Sequence, residues 1–365
     1  MSKRKNRQPA KPAPVAPPVQ KPSAPAPTPA SVKPASTSAL VYLVPIVLVV
    51  LMGGALVLWL TRPSSATPNP ITTSTATPQQ RRTNIGRTTA CQRNPNFSES
   101  VGLGKQVVAS TANGNRKGLL MFSPSAPDKF YQHPTWISAG NLGQFVVDGA
   151  GNTYVVPAVE ISVSPEILAL QSTLFKVDTN TSEMATFITL PVAAKTTENP
   201  FGLMGLAYDC DTNSVYATSV AGSTSADEVG RIYRIDANTA QVAGQLDNVD
   251  AMGIGVFNGA FGKRLYFGKA RTPEVYSVAL TDAGTFTGEP RFEFALSEVP
   301  NGQGDQARRI QINDKREMTI RAWPFDFNLR AASETPKRAY KFKYNEANDQ
   351  WDFMSVEPIT GVTAN

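Results

Sequence analysis

Short runs of alternating apolar and polar residues fill the chain after about residue 100, and turn-forming residues separate them. This alternation puts the apolar side chains on one face of an extended strand, as in antiparallel sheets. Helical periodicity is nearly absent, apart from a candidate turn at Glu166–Gln171. The pattern therefore predicts an all-β domain.

The runs also repeat in a fixed order. One run reads polar, polar, apolar, aromatic, polar, apolar, and its clear copies are Ser172–Val177, Gly230–Ile235, Pro273–Val278 and Lys337–Phe342. Further strand candidates precede and follow each copy. Four antiparallel strands about every 45–60 residues match the period of a β-propeller blade. We recognise five blades and expect five or six in total; the first lacks a clear innermost strand, which Ile359–Ala364 could supply.

Three phrases carry a resemblance to a known fold family. They are DGAGNTYVV, GLAYDCDTNSVYATS and GRIYRIDANT, which begin at Asp148, Gly205 and Gly230. These phrases resemble blades of NHL-like and related extracytoplasmic β-propellers, over about residues 105–365. The resemblance implies the fold; because such propellers host sugar or peptide binding, lactonase-type hydrolysis and scaffolding, it implies no single activity.

An apolar run without any charge lies before the repeats, at residues 39–60. As a helix it would cross a hydrocarbon core of about 30 Å, with Tyr42 and Trp59 near the two interfaces. Basic residues concentrate before the run, which predicts a cytoplasmic N-terminus and an extracytoplasmic remainder. A cleaved signal peptide is the alternative, but the preceding segment is long and no clear small-x-small cleavage site follows.

Charge divides the chain in the same place. The 12 Lys and Arg before Glu99 have no acidic counterpart, whereas residues 99–365 hold 23 basic against 29 acidic residues. We predict a disordered, basic Pro/Ala-rich cytoplasmic tail at 1–38, a transmembrane helix at 39–60, a Thr/Ser/Pro-rich stalk at 61–100 and the propeller at 101–365. This topology predicts a single-pass membrane protein and excludes nucleic acid as a partner.

Known catalytic motifs are missing from the sequence. The single histidine, His133, is expected on an outer strand and has no nucleophile elbow beside it. Neither a phosphate loop nor a dinucleotide fingerprint occurs. Cys91 and Cys210 both fall on the predicted outer side, where the sequence is compatible with one disulfide or with two free thiols.

Oxygen-bearing side chains occur where the chain leads into successive innermost strands. The candidate ligand-binding residues are Asn141, Glu198, Asn199, Asp250 and Asp305. If they converge at the channel mouth, their carboxylate and amide oxygens would suit Ca²⁺ or Mg²⁺. The alternative is that they are solvated loop residues.

A late basic segment is the second candidate. It contains Arg308, Arg309, Lys315, Arg316, Arg321 and Arg330 in an otherwise acidic domain. It indicates either binding of an acidic glycan or lipid headgroup, or alternating surface charges.

The leading functional hypothesis is a non-catalytic binding or scaffold module for a protein or a cell-envelope polymer, with no cofactor. The alternative is a lactonase-like or esterase-like hydrolase that uses Ca²⁺ or Mg²⁺ at the channel mouth.

Overall fold

The computed structural model describes residues 82–111, 116–159, 165–196, 198–327 and 336–359, which lie in one compact unit, Ala76–Asn365. The predicted tail, the predicted membrane span and the predicted strand beyond Ile359 lie outside the described residues. Within those residues, the longest and most apolar helices still fall short of what a membrane crossing requires.

Strands dominate the described part of the chain. Their bounds are β1 Gly86–Arg87, β2 Val108–Ser110, β3 Leu120–Ser123, β4 Ala126–Tyr131, β5 Leu142–Val147, β6 Thr153–Pro157, β7 Thr173–Val177, β8 Met184–Thr189, β9 Leu203–Asp209, β10 Ser214–Ser219, β11 Arg231–Asp236, β12 Val242–Asp247, β13 Ala251–Gly259, β14 Gly262–Lys269, β15 Glu274–Leu280, β16 Phe286–Ala295, β17 Gln306–Ile312, β18 Glu317–Trp323, β19 Arg338–Asn345 and β20 Gln350–Pro358. The short helices are α1 Phe97–Ser100, α2 Pro134–Ser138 and α3 Pro165–Leu170, with a 3₁₀ turn at Leu296–Glu298.

These strands form five sheets. The sheet orders are β2-β3-β4, β5-β6-β7-β8, β9-β10-β11-β12, β1-β13-β14-β15-β16 and β17-β18-β19-β20. Every pairing is antiparallel, and within each four-stranded meander the strands follow chain order, as in a propeller blade. The all-β propeller with five blades is thereby confirmed, the first blade having three strands in the described residues.

The second strand is completely buried in two of the blades. All residues of β6 and β10 are buried, because both faces of these sheets are covered by neighbouring sheets. The fourth strands β12 and β20 are mostly exposed or half-buried. Burial on both faces explains why Tyr154–Val156 in β6 are apolar without alternation.

Each four-stranded blade has two ends. The end at which its first strand begins is called the upper face here, and the end at which that strand finishes is called the lower face. The upper face carries the loops that lead into β5, β9, β13 and β17 and the loops between second and third strands. The lower face carries the turns between first and second strands and between third and fourth strands. Asp148 caps one lower turn by accepting from the backbone N–H of Ala150 and Asn152, and Asp178 caps another. Backbone hydrogen bonds from Thr181 and Asn180 lower the pKa of Asp178.

A buried ion pair joins two blades at the lower face. Lys263 Nζ lies 2.9 Å from Asp209 Oδ2 and 2.8 Å from Asp211 Oδ2. The Lys263 and Asp209 side chains are 1% and 0% exposed. A single sequence does not indicate this contact, since its partners are 54 residues apart.

Residues 82–93, called the strap here, run along the lower face. Gly86 and Arg87 pair with β13, Arg87 also forms an ion pair with Asp314, and Cys91 is disulfide-bonded to Cys210. The predicted disulfide is confirmed. The strap and α1 fall within the segment predicted to be a stalk. In the structure both lie against the propeller, the strap through backbone pairing with β13 and α1 through burial of Phe97.

His133 lies at the N-cap of α2 and not on an outer strand. Its Nδ1 accepts a hydrogen bond from the Thr135 backbone N–H at 3.3 Å. Pro134 explains the difference, because its fixed φ and missing N–H suit the first position of a helix.

The disulfide should contribute strongly to stability. It closes a loop of 119 residues, so the Cys91→Ser, Cys210→Ser double variant should lose on the order of 4 kcal/mol of unfolding free energy. Urea unfolding of the full chain in detergent micelles measures this loss. Reductant should lower the wild-type midpoint and leave the double variant unchanged; an unmoved wild-type midpoint would contradict the prediction.

The buried ion pair allows a matched comparison. Lys263→Met leaves the Asp209 carboxylate buried without its cation, and we expect a loss of about 3–5 kcal/mol. Lys341→Met removes an exposed ion pair with Glu357 and should cost about 0–1 kcal/mol. Equal urea midpoints for the two variants would show that burial of the Lys263 pair does not matter.

Candidate functional site

A bulge recurs in all four innermost strands near their upper ends. Relative to the second strand of the blade, one extra residue is accommodated between Leu142 and Phe145, between Leu203 and Leu206, between Ala251 and Ile254, and between Ala307 and Arg309. Such bulges bend a strand and re-aim its side chains. The bulged residues are the ones that meet at the propeller axis.

Gln144, in the bulge of β5, connects two other innermost strands. Its Nε2 donates to the Arg308 carbonyl oxygen on β17 at 2.7 Å. Its Oε1 accepts from the Leu206 N–H on β9 at 3.4 Å. One side chain thus connects the innermost strands of two other blades.

Glycines let the remaining innermost strands approach each other. A Cβ on Gly205 would lie 1.9 Å from the Met252 carbonyl oxygen, and one on Gly253 would lie 2.6 Å from the Arg309 backbone nitrogen. Such contacts with backbone atoms leave no space for a side chain. Together with the hydrogen bonds of Gln144, these close backbone contacts connect β5, β9, β13 and β17 around the propeller axis. The channel is narrow at this level as a result.

Aromatic side chains cover this constriction from the upper face. Phe325 has ring-centre distances of 4.8 Å to Phe201 and 5.2 Å to Phe327. Met252 and Ala270 belong to the same apolar cluster. The predicted channel mouth is therefore filled by apolar groups.

An axial cavity of about 260 Å³ lies on the lower side of the constriction. Its walls come from the innermost strands and the strap. They are Arg87, Thr89, Gln92, Phe145–Val147, Leu206–Tyr208, Ile254–Val256 and Arg309–Ile312.

The predicted site residue Asp250 is used to hold upper-face loops together. Its side chain is fully buried and accepts hydrogen bonds from Gly230 N at 3.0 Å and from Ser223 Oγ. Arg271 Nη2 lies 2.9 Å from its Oδ2. Burial raises the pKa of the Asp250 carboxyl, against the opposing effects of Ser223 and Arg271.

Asp305 has the equivalent position in the next blade. Its Oδ2 accepts from Arg338 Nη1 at 3.0 Å and from the Tyr340 hydroxyl at 2.8 Å. An arginine thus neutralises Asp305 as Arg271 neutralises Asp250.

The other three predicted residues do not join these carboxylates in one site. Asn199 is buried, and its amide donates to the Val220 and Ser223 carbonyl oxygens. Glu198 is exposed. Asn141 borders a separate pocket of about 170 Å³. In the described ranges, no three His, Cys, Asp or Glu side chains are grouped as metal binding would require.

The upper-face cationic cluster consists of Arg308, Trp323, Phe325 and Lys337. The Arg308 guanidinium carbon lies 4.9 Å from the Trp323 ring centre and 4.8 Å from that of Phe325. Lys337 Nζ lies 5.1 Å from the Trp323 ring centre. All four side chains are half-buried.

Arg308 and Lys337 have no acidic partner within the described ranges. Burial lowers the pKa of Arg308 to about 10, so it remains a cation at neutral pH. An unpaired, partly open guanidinium group between two aromatic rings can accept a carboxylate or phosphate in two parallel hydrogen bonds.

The described residues of the predicted basic segment do not form one surface, and Arg330 lies outside the described residues. Arg308 contributes to the upper-face cationic cluster, Arg309 lines the axial cavity, and Arg316 pairs with Glu346 at the lower face. Trp323 went unnoticed because the strand predicted there ended at Arg321. The aromatic residues Trp323 and Phe325 beside the basic run were the available signal.

Comparison with known proteins shows no family for this chain. No protein-family model and no curated protein matches the chain.

Solved structures give distant likenesses. The chain is similar to a calcium-binding protein, regucalcin, from Agrobacterium tumefaciens strain C58, at 10% identity over 74% of this chain and 77% of that chain, with a TM-score of 0.43. A glucose dehydrogenase is 11% identical over 63% and 77%, with a TM-score of 0.38. A chain of a nidogen/laminin complex is 9% identical over 68% and 92%, with a TM-score of 0.38. Likenesses at this level carry no argument about activity.

The constriction can be tested with two glycine substitutions. Gly253→Ala places a methyl group against the backbone of β17 and should cost about 1–3 kcal/mol. Gly244→Ala is the control, because the nearest atom to its Cβ is the Phe286 ring at 4.0 Å. Thermal unfolding of both variants measures the difference; an unchanged Gly253→Ala midpoint would mean that the strands separate freely at this point.

Proposed function

We propose that the protein is a single-pass, membrane-anchored extracytoplasmic propeller that acts as a non-catalytic binding module for an anionic polymer of the cell envelope. The observation that carries the proposal is the upper-face cationic cluster, in which Arg308 and Lys337 flank Trp323 without an acidic partner among the described residues. A rigid propeller suits this role because its loops present binding groups from a fixed frame.

The proposed location rests on three features. The uncharged run at 39–60 is long enough for a membrane helix, and basic residues before it favour a cytoplasmic N-terminus. The Cys91–Cys210 disulfide supports an oxidising compartment for the propeller. A partner in the cell envelope fits that compartment.

The chemistry of the cluster favours an anionic polymer. Two cations beside one indole ring can bind negatively charged groups that recur along a chain, and the half-buried ring adds an apolar surface. The metal-dependent hydrolase would instead draw on Asp250 and Asp305. Arginines already neutralise both carboxylates, and this disfavours binding of Ca²⁺ or Mg²⁺ by Asp250 and Asp305.

The test compares two charge-matched double variants of the full chain in non-ionic detergent micelles. Arg308→Gln with Lys337→Gln should weaken binding of sodium polygalacturonate, an acidic polysaccharide, by about tenfold or more, since charge-assisted hydrogen bonds contribute about 1.5–3 kcal/mol. Lys315→Gln with Lys341→Gln removes the same charge elsewhere and should change the affinity less than about twofold. Isothermal titration measures both.

Three results would oppose the proposal. Equal losses for both double variants would mean that net charge alone attracts the polymer. Equal affinity for neutral dextran would mean that anionic groups are not recognised. Cluster-dependent binding of an acidic protein, without binding of the polysaccharide, would assign a different class of partner.

A further inference from the structure

The axial cavity contains a charged group that the proposed function does not use, the guanidinium group of Arg309. Its central carbon lies 5.4 Å from the Phe145 ring centre. None of the described residues pairs with it through a hydrogen bond or an ion pair. Burial and the nearby charge of Arg321 lower the pKa of Arg309 to about 10, so the group is charged at neutral pH.

The walls of the cavity do not neutralise this charge. Their residues include no Asp or Glu, and the other wall cation, Arg87, forms its ion pair with Asp314. A buried charge without a partner is unfavourable. The guanidinium group therefore offers strong hydrogen-bond donors to any anion that enters.

We infer that the axial cavity binds a small organic anion, with the negative group at Arg309 and the apolar body against walls that include Phe145, Leu206 and Ile254. A dry apolar cavity of about 150 Å³ is known to admit benzene. The volume of about 260 Å³ therefore has room for one ring or a short alkyl chain with a carboxylate. This site is separate from the upper-face cationic cluster and does not depend on the proposed function.

The experiment uses three carboxylates and their neutral amides as probes. Acetate, butyrate and benzoate, with acetamide, butyramide and benzamide, are titrated into the full chain in detergent micelles. We expect benzoate to bind at least about tenfold more tightly than benzamide, because only the carboxylate pairs with the cation. Affinity should also rise from acetate to benzoate as more apolar surface is buried.

Substitutions of single cationic residues locate the binding. Arg309→Gln should weaken benzoate binding at least about tenfold and abolish the preference for benzoate over benzamide. Lys315→Gln, which removes an exposed cation outside the axial cavity, should leave the benzoate affinity unchanged. Loss of benzoate binding in Arg308→Gln alone would move the site to the upper-face cationic cluster and overturn the inference.

A measurement without ligand separates binding from folding. Because Arg309→Gln removes a buried, unpaired charge, the ligand-free variant should melt at the same or a higher temperature than the wild type. Lower melting temperature together with lost binding would point to a structural role for Arg309 and overturn the inference. So would equal affinity for benzoate and benzamide, or no binding of any probe.

Discussion

The close approach of four innermost strands at the propeller axis is the constraint on which the rest of the structure depends. It is made possible by a bulge at the same level in each strand, with glycine at Gly205 and Gly253 where backbones meet. Side chains at those positions would hold the strands apart. Because the strands meet there, the channel is divided into an apolar upper cap and the axial cavity on the lower side.

The close packing of the blades also brings charged groups of adjacent sheets together at the upper and lower faces. Where loops or turns of adjacent sheets come together, opposite charges are paired, as in Lys263 with Asp209 and Arg271 with Asp250. Such pairs are poor sources of net stability, but losing one partner is costly, so they fix which loops meet. Two of the residues expected from sequence to bind a ligand, Asp250 and Asp305, take part in such pairs.

The strand order was predictable, because alternation and spacing depend on local sequence. The predicted innermost strands began at Gln144, Gly205, Gly255 and Arg309, at or just after each bulge, since a bulge interrupts the period of two. Pairings such as Lys263 with Asp209 depend on how sheets pack, and alternation shows only which face a residue occupies. For the same reason the loop positions of Asp250 and Asp305 were found, but their arginine partners were not.

The bulge at Arg308 also explains how two consecutive cations serve different surroundings. In a regular strand, neighbouring side chains alternate between the two faces of one sheet. The extra residue between Ala307 and Arg309 turns Arg308 toward Trp323 and Phe325 and leaves Arg309 beside Phe145 in the cavity. Neither guanidinium group has a carboxylate partner within the described ranges, whereas the buried ammonium group of Lys263 is paired with Asp209. Charged groups in perturbed surroundings cluster at functional sites, which makes both arginines candidates for binding an anion.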